Sequence, residues 1–328
     1  MPGVWQRHPR YSLLVVVVLV TTLYLLVPIQ QDSLASPLFT MSDNDLPSRM
    51  ERANRIYNKV LEDRKGLIKK FGPTPKEIAV FPEDKAPWPP YTVWDFFPAA
   101  FNCPHEVERQ GALGDGGKWV CGLSRVREKP NCVVYSFGIN YESSFEAEIL
   151  RNTHHCEIWG YDYSVNAFGP EIPSESKHRT HFKPYALGGE DKHDSEEKIP
   201  MYTLDTLLKM NGHEFIDILK IDIESWEFTT LSALIKPYLI SGKPLPFGQL
   251  QIEIHLWHKS FDEILEWWEM LEEAGLRPFW TEPNLVYLNY NRDSRTSDLA
   301  EYSFINVKGN NIFIQDPPSP SHDDVEHD

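Results

Sequence analysis

Hydrophobic residues fall in three rhythms along this chain. Near the amino end, Tyr11 to Ile29 is an unbroken apolar run without Lys, Arg, Asp or Glu, about the length that spans a bilayer as a helix. Between Pro47 and Phe71 apolar residues recur at Met50, Ala53, Ile56, Val60, Leu67 and Phe71. That is a helical period with a charged opposite face, and Gly72-Pro73 ends it. From Val133 onward, short β-branched runs alternate with helix-period segments, which predicts an α/β fold with a parallel sheet. Strands are expected at Val133–Phe137, Glu157–Tyr161, Thr180–Leu187, Ile216–Ile223 and Leu250–Leu256. Helices are expected through Phe145–Leu150, over Met201–Met210, from Ser225 into Leu234, and over Phe261–Leu271. Pro and Gly break Val165–Arg179, so the second crossover helix is short or absent.

The run Ile216 to Ile223 reads as a strand buried on both faces, yet it carries Asp217, Lys220 and Asp222, with Glu224 just beyond. Ionised groups are costly to bury unless paired or used. Asp222 and Glu224 are two apart, so on an extended chain they share a face. They stand at the carboxyl end of a strand, where open α/β sheets bind ligands. The plain alternative is a capped helix with an acidic first turn. Three other places carry candidate chemistry. The turn Gly138-Ile139-Asn140 follows the first strand, and Asp162 ends the second, about where a carboxylate accepts from the ribose hydroxyls of a nucleoside. Glu253 and His255 point one way on the fifth strand, with His258 at its end. Gly116 and Gly117, in GALGDGGKWVCG, allow close approach of backbone to a ligand.

Charge and cysteines narrow the classes. The 328 residues carry a net charge of −16, which argues against a nucleic-acid partner, because binding a polyphosphate rests on clustered Lys and Arg. Arg7 and Arg10 precede the apolar run and no basic residue follows it until Arg49, so residues 1–10 are expected in the cytosol and 11–29 as a signal anchor. Cleavage near Ser33-Leu34-Ala35, releasing a secreted chain, is the alternative. Either way the rest enters the secretory pathway. Residues 30–97 form a stem containing the amphipathic helix and a Pro- and aromatic-rich wrap, and the acidic end, 310–328, reads as disordered. Four cysteines on the lumenal side invite pairing. Cys103–Cys121 is the expected bridge, whereas Cys132 and Cys156 are expected as buried thiols, with a second bridge the alternative. No C-x-x-C pair supports a zinc site.

LKIDIESWE (Leu219 to Glu227) resembles the K-x-D-x-E-G-x-E element of FkbM-type S-adenosylmethionine-dependent methyltransferases, with Ser225 in the place of Gly. TLDTLL (Thr203 to Leu208), DGGKWVC (Asp115 to Cys121), VVYSFGINYESSFE (Val133 to Glu146) and QIEIHLWH (Gln251 to His258) extend the likeness over about Pro98 to Gly309. Together they are similar to the membrane-anchored eukaryotic branch, of the methyltransferase-like protein 24 type. The resemblance implies a Rossmann-like seven-stranded methyltransferase sheet with helices on both faces over 98–309, closed by strands within Leu276–Tyr290 and Tyr302–Val307. It implies S-adenosyl-L-methionine as cofactor, with Gly116, Gly117, Gly138, Asn140 and Asp162 on its side. Asp222, Glu224, His255 and His258 then face the methyl group or an acceptor, a small-molecule or glycan hydroxyl or carboxyl. The chain departs from the pattern in having one glycine in the turn, and Ser136-Phe137 where an acid usually ends the first strand. A binding protein without catalysis, or a transferase assisted by a divalent metal on Asp222, Glu224, Glu253, His255 and His258, are the alternative readings; no tight metal motif is present.

Overall fold

The computed structural model describes residues 45–83, 89–194, 198–290 and 296–316. The expected anchor and the acidic tail beyond Asp316 lie outside them. Among the described residues, no helix is long and apolar enough to cross a membrane.

Helix α1 (Leu46–Phe71) opens on Asp45, whose carboxylate accepts from Ser48 N at 2.8 Å, and ends at Gly72. Strands β1 (Val107–Gln110) and β2 (Lys118–Cys121) form an antiparallel pair around the glycine loop. Then come β3 (Val133–Phe137), α2 (Ser144–Asn152), β4 (Glu157–Tyr161) and β5 (Thr180–Lys183). Between β4 and β5 the chain makes only a 3-10 turn, Ser174–Arg179, as the Pro- and Gly-broken sequence predicts. Short strands β6 (Ala186–Leu187) and β7 (Met201–Tyr202) precede α3 (Leu204–Asn211). The remainder is β8 (Ile216–Ile221), α4 (Glu227–Ser241), β9 (Phe247–His255), α5 (Phe261–Ala274), β10 (Leu276–Pro283), α6 (Leu285–Tyr290) and β11 (Leu299–Asn306).

Seven strands make one sheet in the order β5-β4-β3-β8-β9-β11-β10. The first five are parallel, and β11 runs antiparallel between β9 and β10. From β3 the chain moves outward to β4 and β5, then crosses back to β8 on the other side. The switch point, where such sheets leave a crevice for ligand, therefore lies between β3 and β8. Both strands are buried along their whole length. Alternation sends Tyr135, Phe137, Leu219 and Ile221 to a core shared with α3, α4 and α5. Val134, Ile158 and Ile218 go to one shared with α2 and β2.

Buried charge is paired. Asp217 Oδ2 accepts from Lys129 Nζ at 3.1 Å and from Val133 N at 2.9 Å. Lys220 Nζ donates to Gly138 O at 3.0 Å, with Glu146 at 3.6 Å. Helix α1 docks on the same body: Ala53 and Tyr57 are fully buried, and Arg64 forks onto Glu272 of α5 at 2.7 and 2.9 Å.

Three expectations change. The strand expected over Thr180–Leu187 stops at Lys183, because Pro184 has no N–H for the ladder. Ala186–Leu187 pairs instead with Met201–Tyr202 in a separate parallel ribbon. Cys132 and Cys156 are bridged, not free thiols. They sit one residue before the register pair Val133↔Glu157 on neighbouring strands, which brings their Cα atoms to 4.3 Å. Cys103 bonds Cys121, as expected. The helix after β8 starts at Glu227, and Ser225 is not its cap.

Candidate active site

Gly138 follows β3 with φ +78, and Asn140 and Tyr141 are also left-handed. A Cβ at Gly138 would run into the carbonyl oxygen of Asp222, so only glycine lets these two strand ends come together. The turn is tied to its neighbours by Gly138 N donating to Tyr161 O and Asp222 N donating to Phe137 O, both at 3.1 Å. Asp162 closes it from β4. Its Oδ2 accepts from Ile139 N at 2.9 Å and Asn140 N at 2.8 Å, and its Oδ1 accepts from Ser164 N and Oγ at 2.7 Å each.

A cavity of about 540 Å³ opens over these strand ends. Gly138, Asn140, Asp162, Tyr163 and Ser164 line one part. Leu187, Ile199 and Met201, from the ribbon that the Pro184 break creates and its approach, line an apolar wall. Asp115, Asp222, Glu224, Trp226 and Glu253 line the acidic remainder. Phe137 and Tyr161 stack beneath it with ring centroids 4.8 Å apart.

Asp222 and Glu224 both reach this cavity, but not by strand alternation. The chain leaves the extended conformation after β8, and left-handed backbone at Glu224 (φ +51) and Ser225 (φ +78) folds the second acid back. His255 is 1 % exposed and lies behind them. Its Nδ1 is 3.1 Å from Oε1 of Glu227, a side chain with no exposed surface. Its Nε2 is 3.6 Å from Glu224 and 3.7 Å from Glu253. Burial opposes charge on this ring, but Glu227, Glu253 and Asp222 overcome it and push its pKa up to about 9. His255 is thus an imidazolium at neutral pH, a donor and not the base expected. Burial, Asp222 and Glu301 push Glu253 up to about 8.

Some expected positions are elsewhere. His258 is exposed with φ +59 and does not line the cavity. Gly116 and Gly117 do not line it either: a Cβ at Gly116 would meet the Glu142 carboxylate, and one at Gly117 the Arg109 guanidinium. Those glycines make room for side chains, while their neighbour Asp115 reaches the cavity. Two participants were not singled out from the sequence. Glu227, the last acid of LKIDIESWE, orients His255. Lys118, inside DGGKWVC, is 2 % exposed and bonded to Glu301. Neither type nor spacing reveals them, because each meets its partner across the sheet.

Among the described residues, two groups could converge on a cation: Asp222, Glu224 and His255, and Asp222, Glu253 and Glu301, with ligand atoms in each group within 4.8 Å of one another. The second already has an ammonium, since Lys118 is paired to Glu301 and held charged against burial by Glu301, Asp222 and Glu253. In the first, the imidazole is held charged by Glu227, which disfavours it as a metal ligand.

Residues 54–305 match a family described as a methyltransferase domain. The chain is 28% identical over 171 residues to "Probable methyltransferase-like protein 24" of Homo sapiens, covering 47% of this chain and 43% of that protein. It is 26% identical over 170 residues to the Rattus norvegicus protein of that name, covering 48% and 44%. The chain thus spans less than half the length of the curated relatives it matches. Among solved structures, the Methanococcus jannaschii fibrillarin pre-rRNA processing protein aligns over 61% of this chain and 98% of its own, with 12% identity and a TM-score of 0.32. A score this low carries no weight, and the α/β assignment rests on the strand order itself.

Proposed function

The chain belongs to the methyltransferase-domain family that its residues 54–305 match, and on that premise we propose that it moves a methyl group from S-adenosylmethionine to an acceptor held against Asp222 and Glu224. The observation that carries this reading is the cradle at the switch point. Gly138 has no room for a Cβ, and the turn it makes forms the floor of a cavity bounded by carboxylates.

The residues present fit the donor. Gly138 and Asn140 offer close backbone approach, and Ser164 offers a hydroxyl on the ribose side, beside an Asp162 whose oxygens are engaged in holding the turn. Leu187, Ile199, Met201 and Tyr163 give an apolar wall suited to a flat base. When bound, the donor supplies an activated methyl on a cationic sulfur, and carboxylates are the right sign to face it. Lys220 holds the turn through Gly138 O. Glu227 fixes the His255 ring, and His255 holds Glu224 and Glu253 by charge. Glu224, reaching the cavity from an otherwise exposed side chain, is the group placed to take a proton from the acceptor.

Two disulfides support placing this domain in an oxidising compartment. With the amino-terminal anchor, the proposal is a single-pass type II protein with its active domain in the lumen of the endoplasmic reticulum or Golgi. The acceptor is then a small molecule or glycan, not nucleic acid.

Calorimetric titration of the full chain with S-adenosylhomocysteine tests the reading. Saturable one-to-one binding, lost in Gly138→Ala, is expected. No binding at millimolar ligand by folded wild-type protein would leave a methyltransferase fold without the donor and sink the proposal.

A further inference from the structure

Leu113, in the glycine loop between β1 and β2, is 92 % exposed, and the loop is braced to keep it so. The Arg109 guanidinium donates to Ala112 O and, at 2.7 Å, to Gly114 O, the carbonyls on either side of Leu113. Arg109 is itself fixed by Glu282 at 3.2 Å, which also accepts from Trp119 Nε1 at 2.6 Å. A leucine on a braced loop cannot sink into the body to escape water. Beside it runs α6, a helix with no buried residue, on which Leu285, Val286 and Tyr290 are all exposed. Val286 and Tyr290 are four apart and share a helix face. Val286 lies 3.7 Å from where a Cβ on Gly114 would stand. Loop and helix thus form one apolar shelf, and contiguous exposed apolar surface marks binding sites.

Both parts of the shelf border the cavity. Asp115, next but one to Leu113, lines it. Asn284, directly ahead of α6, accepts from Tyr287 N at 2.9 Å and donates at 2.8 Å to Glu253, which also lines it. From this continuity we propose that the shelf receives an aliphatic arm of the methyl acceptor. The acceptor is then an amphiphile, with its reacting group in the cavity and its arm across Leu113, Val286 and Leu285. The proposal rests on the methyl-transfer reading and adds the class of its substrate. A second copy of the chain is a poorer occupant. A stable protein interface uses about 20–30 residues a side, whereas the shelf is one loop tip and one short helix. A bilayer is poorer too: Asp115 stands at the shelf's edge, with the largely exposed Glu224 side chain on the same cavity, and pressing the shelf into lipid would carry carboxylates with it.

The test uses the full chain in phosphatidylcholine nanodiscs, saturated with S-adenosylhomocysteine, and hexyl β-glucoside bearing a diazirine at the end of its alkyl arm. After illumination, adducts are expected on the peptides that hold Leu113 and Leu285–Tyr290. Unlabelled hexyl β-glucoside should displace the probe about tenfold better than methyl β-glucoside, the gain from burying roughly two methylenes. Leu113→Asp combined with Val286→Asp should leave the melting temperature unchanged, because both positions are exposed, and should lower labelling about tenfold. No adducts, adducts elsewhere, equal displacement by the two glucosides, or labelling indifferent to the substitutions would overturn the proposal. So would labelling of the same peptides by a phospholipid with a diazirine in its tail that hexyl β-glucoside does not displace, since the shelf would then be a bilayer contact. Two copies per disc, reduced to one by Leu113→Asp, would make it an interface between copies and overturn the proposal as well. Labelling that persists while S-adenosylhomocysteine fails to bind would keep the amphiphile shelf and sink the donor reading alone.

Discussion

Asp162 gives the sharpest test of how the turn and the cavity are connected. Its carboxylate has about four acceptor positions, and all four are engaged, two by the Ile139 and Asn140 amides and two by Ser164. Hydrogen bonds to a charged group contribute about 1.5–3 kcal/mol each. The Ile139 amide lies under a buried residue, whereas Asn140 is exposed and its amide can turn to water. Asp162→Ala should therefore destabilise by roughly 2–4 kcal/mol, below the simple sum. In a domain of this size that corresponds to a fall of roughly 4–16 °C in Tm. Ser164→Ala removes one hydroxyl donor, costs about 1 kcal/mol because Ser164 is exposed and water can replace it, and frees one acceptor position on Oδ1. Thermal melts of the wild type, Asp162→Ala, Asp162→Asn and Ser164→Ala, with and without S-adenosylhomocysteine, separate two roles. If Asp162 also receives ribose hydroxyls, Ser164→Ala keeps or gains ligand affinity while Asp162→Asn loses it. A melting point unchanged within about a degree in Asp162→Ala would refute the idea that this carboxylate organises the turn.

Other outcomes follow from the same contacts. His255 is raised from its ordinary 6.5 to about 9, so the stability it contributes is complete below pH 6.5 and lost as pH rises through 9. Glu253, raised from 4.5 to about 8, also loses stability as it ionises over that interval. Melting temperature should thus fall from about pH 5 to 9, Glu253→Gln should flatten the lower half, and a rise across this window would contradict the assignment. Glu272 accepts from Arg64, Tyr57 and Trp268, so Glu272→Ala leaves a buried guanidinium unpaired. Chemical denaturation should show a loss of about 3–5 kcal/mol, and a loss under about 1 would mean α1 is not docked through this hub. All four cysteines should resist alkylation until reduced, and Cys132→Ser should cost about 3 kcal/mol. Free labelling at Cys132 and Cys156 would remove that bridge.

The sheet was readable because its strands are what their composition says. Val133–Phe137 and Ile216–Ile221 are β-branched or aromatic runs buried on both faces, and no rival structure hides them so well. The candidate site was readable only in part, because side chains meet there for reasons that a linear chain does not display. Asp222 and Glu224 reach one cavity, as their spacing suggested, but the suggested cause was alternation and the operating one is a left-handed turn. Ser225, at φ +78, explains why the resembling family has glycine at this place: L residues pay roughly 1–2 kcal/mol there. The glycines divide in the same way. Gly138 lies against backbone that cannot move, whereas Gly116 and Gly117 lie against the flexible ends of Glu142 and Arg109, and only contact tells a ligand cradle from room for a neighbour. Glu227 and Lys118 lie inside the motifs around Asp222 and Cys121, but nothing in those motifs reveals their roles, because their partners, His255 and Glu301, come from β9 and β11. The motif around Asp222 is therefore best understood as one rim of a charge network whose other members arrive from β2, β9 and β11.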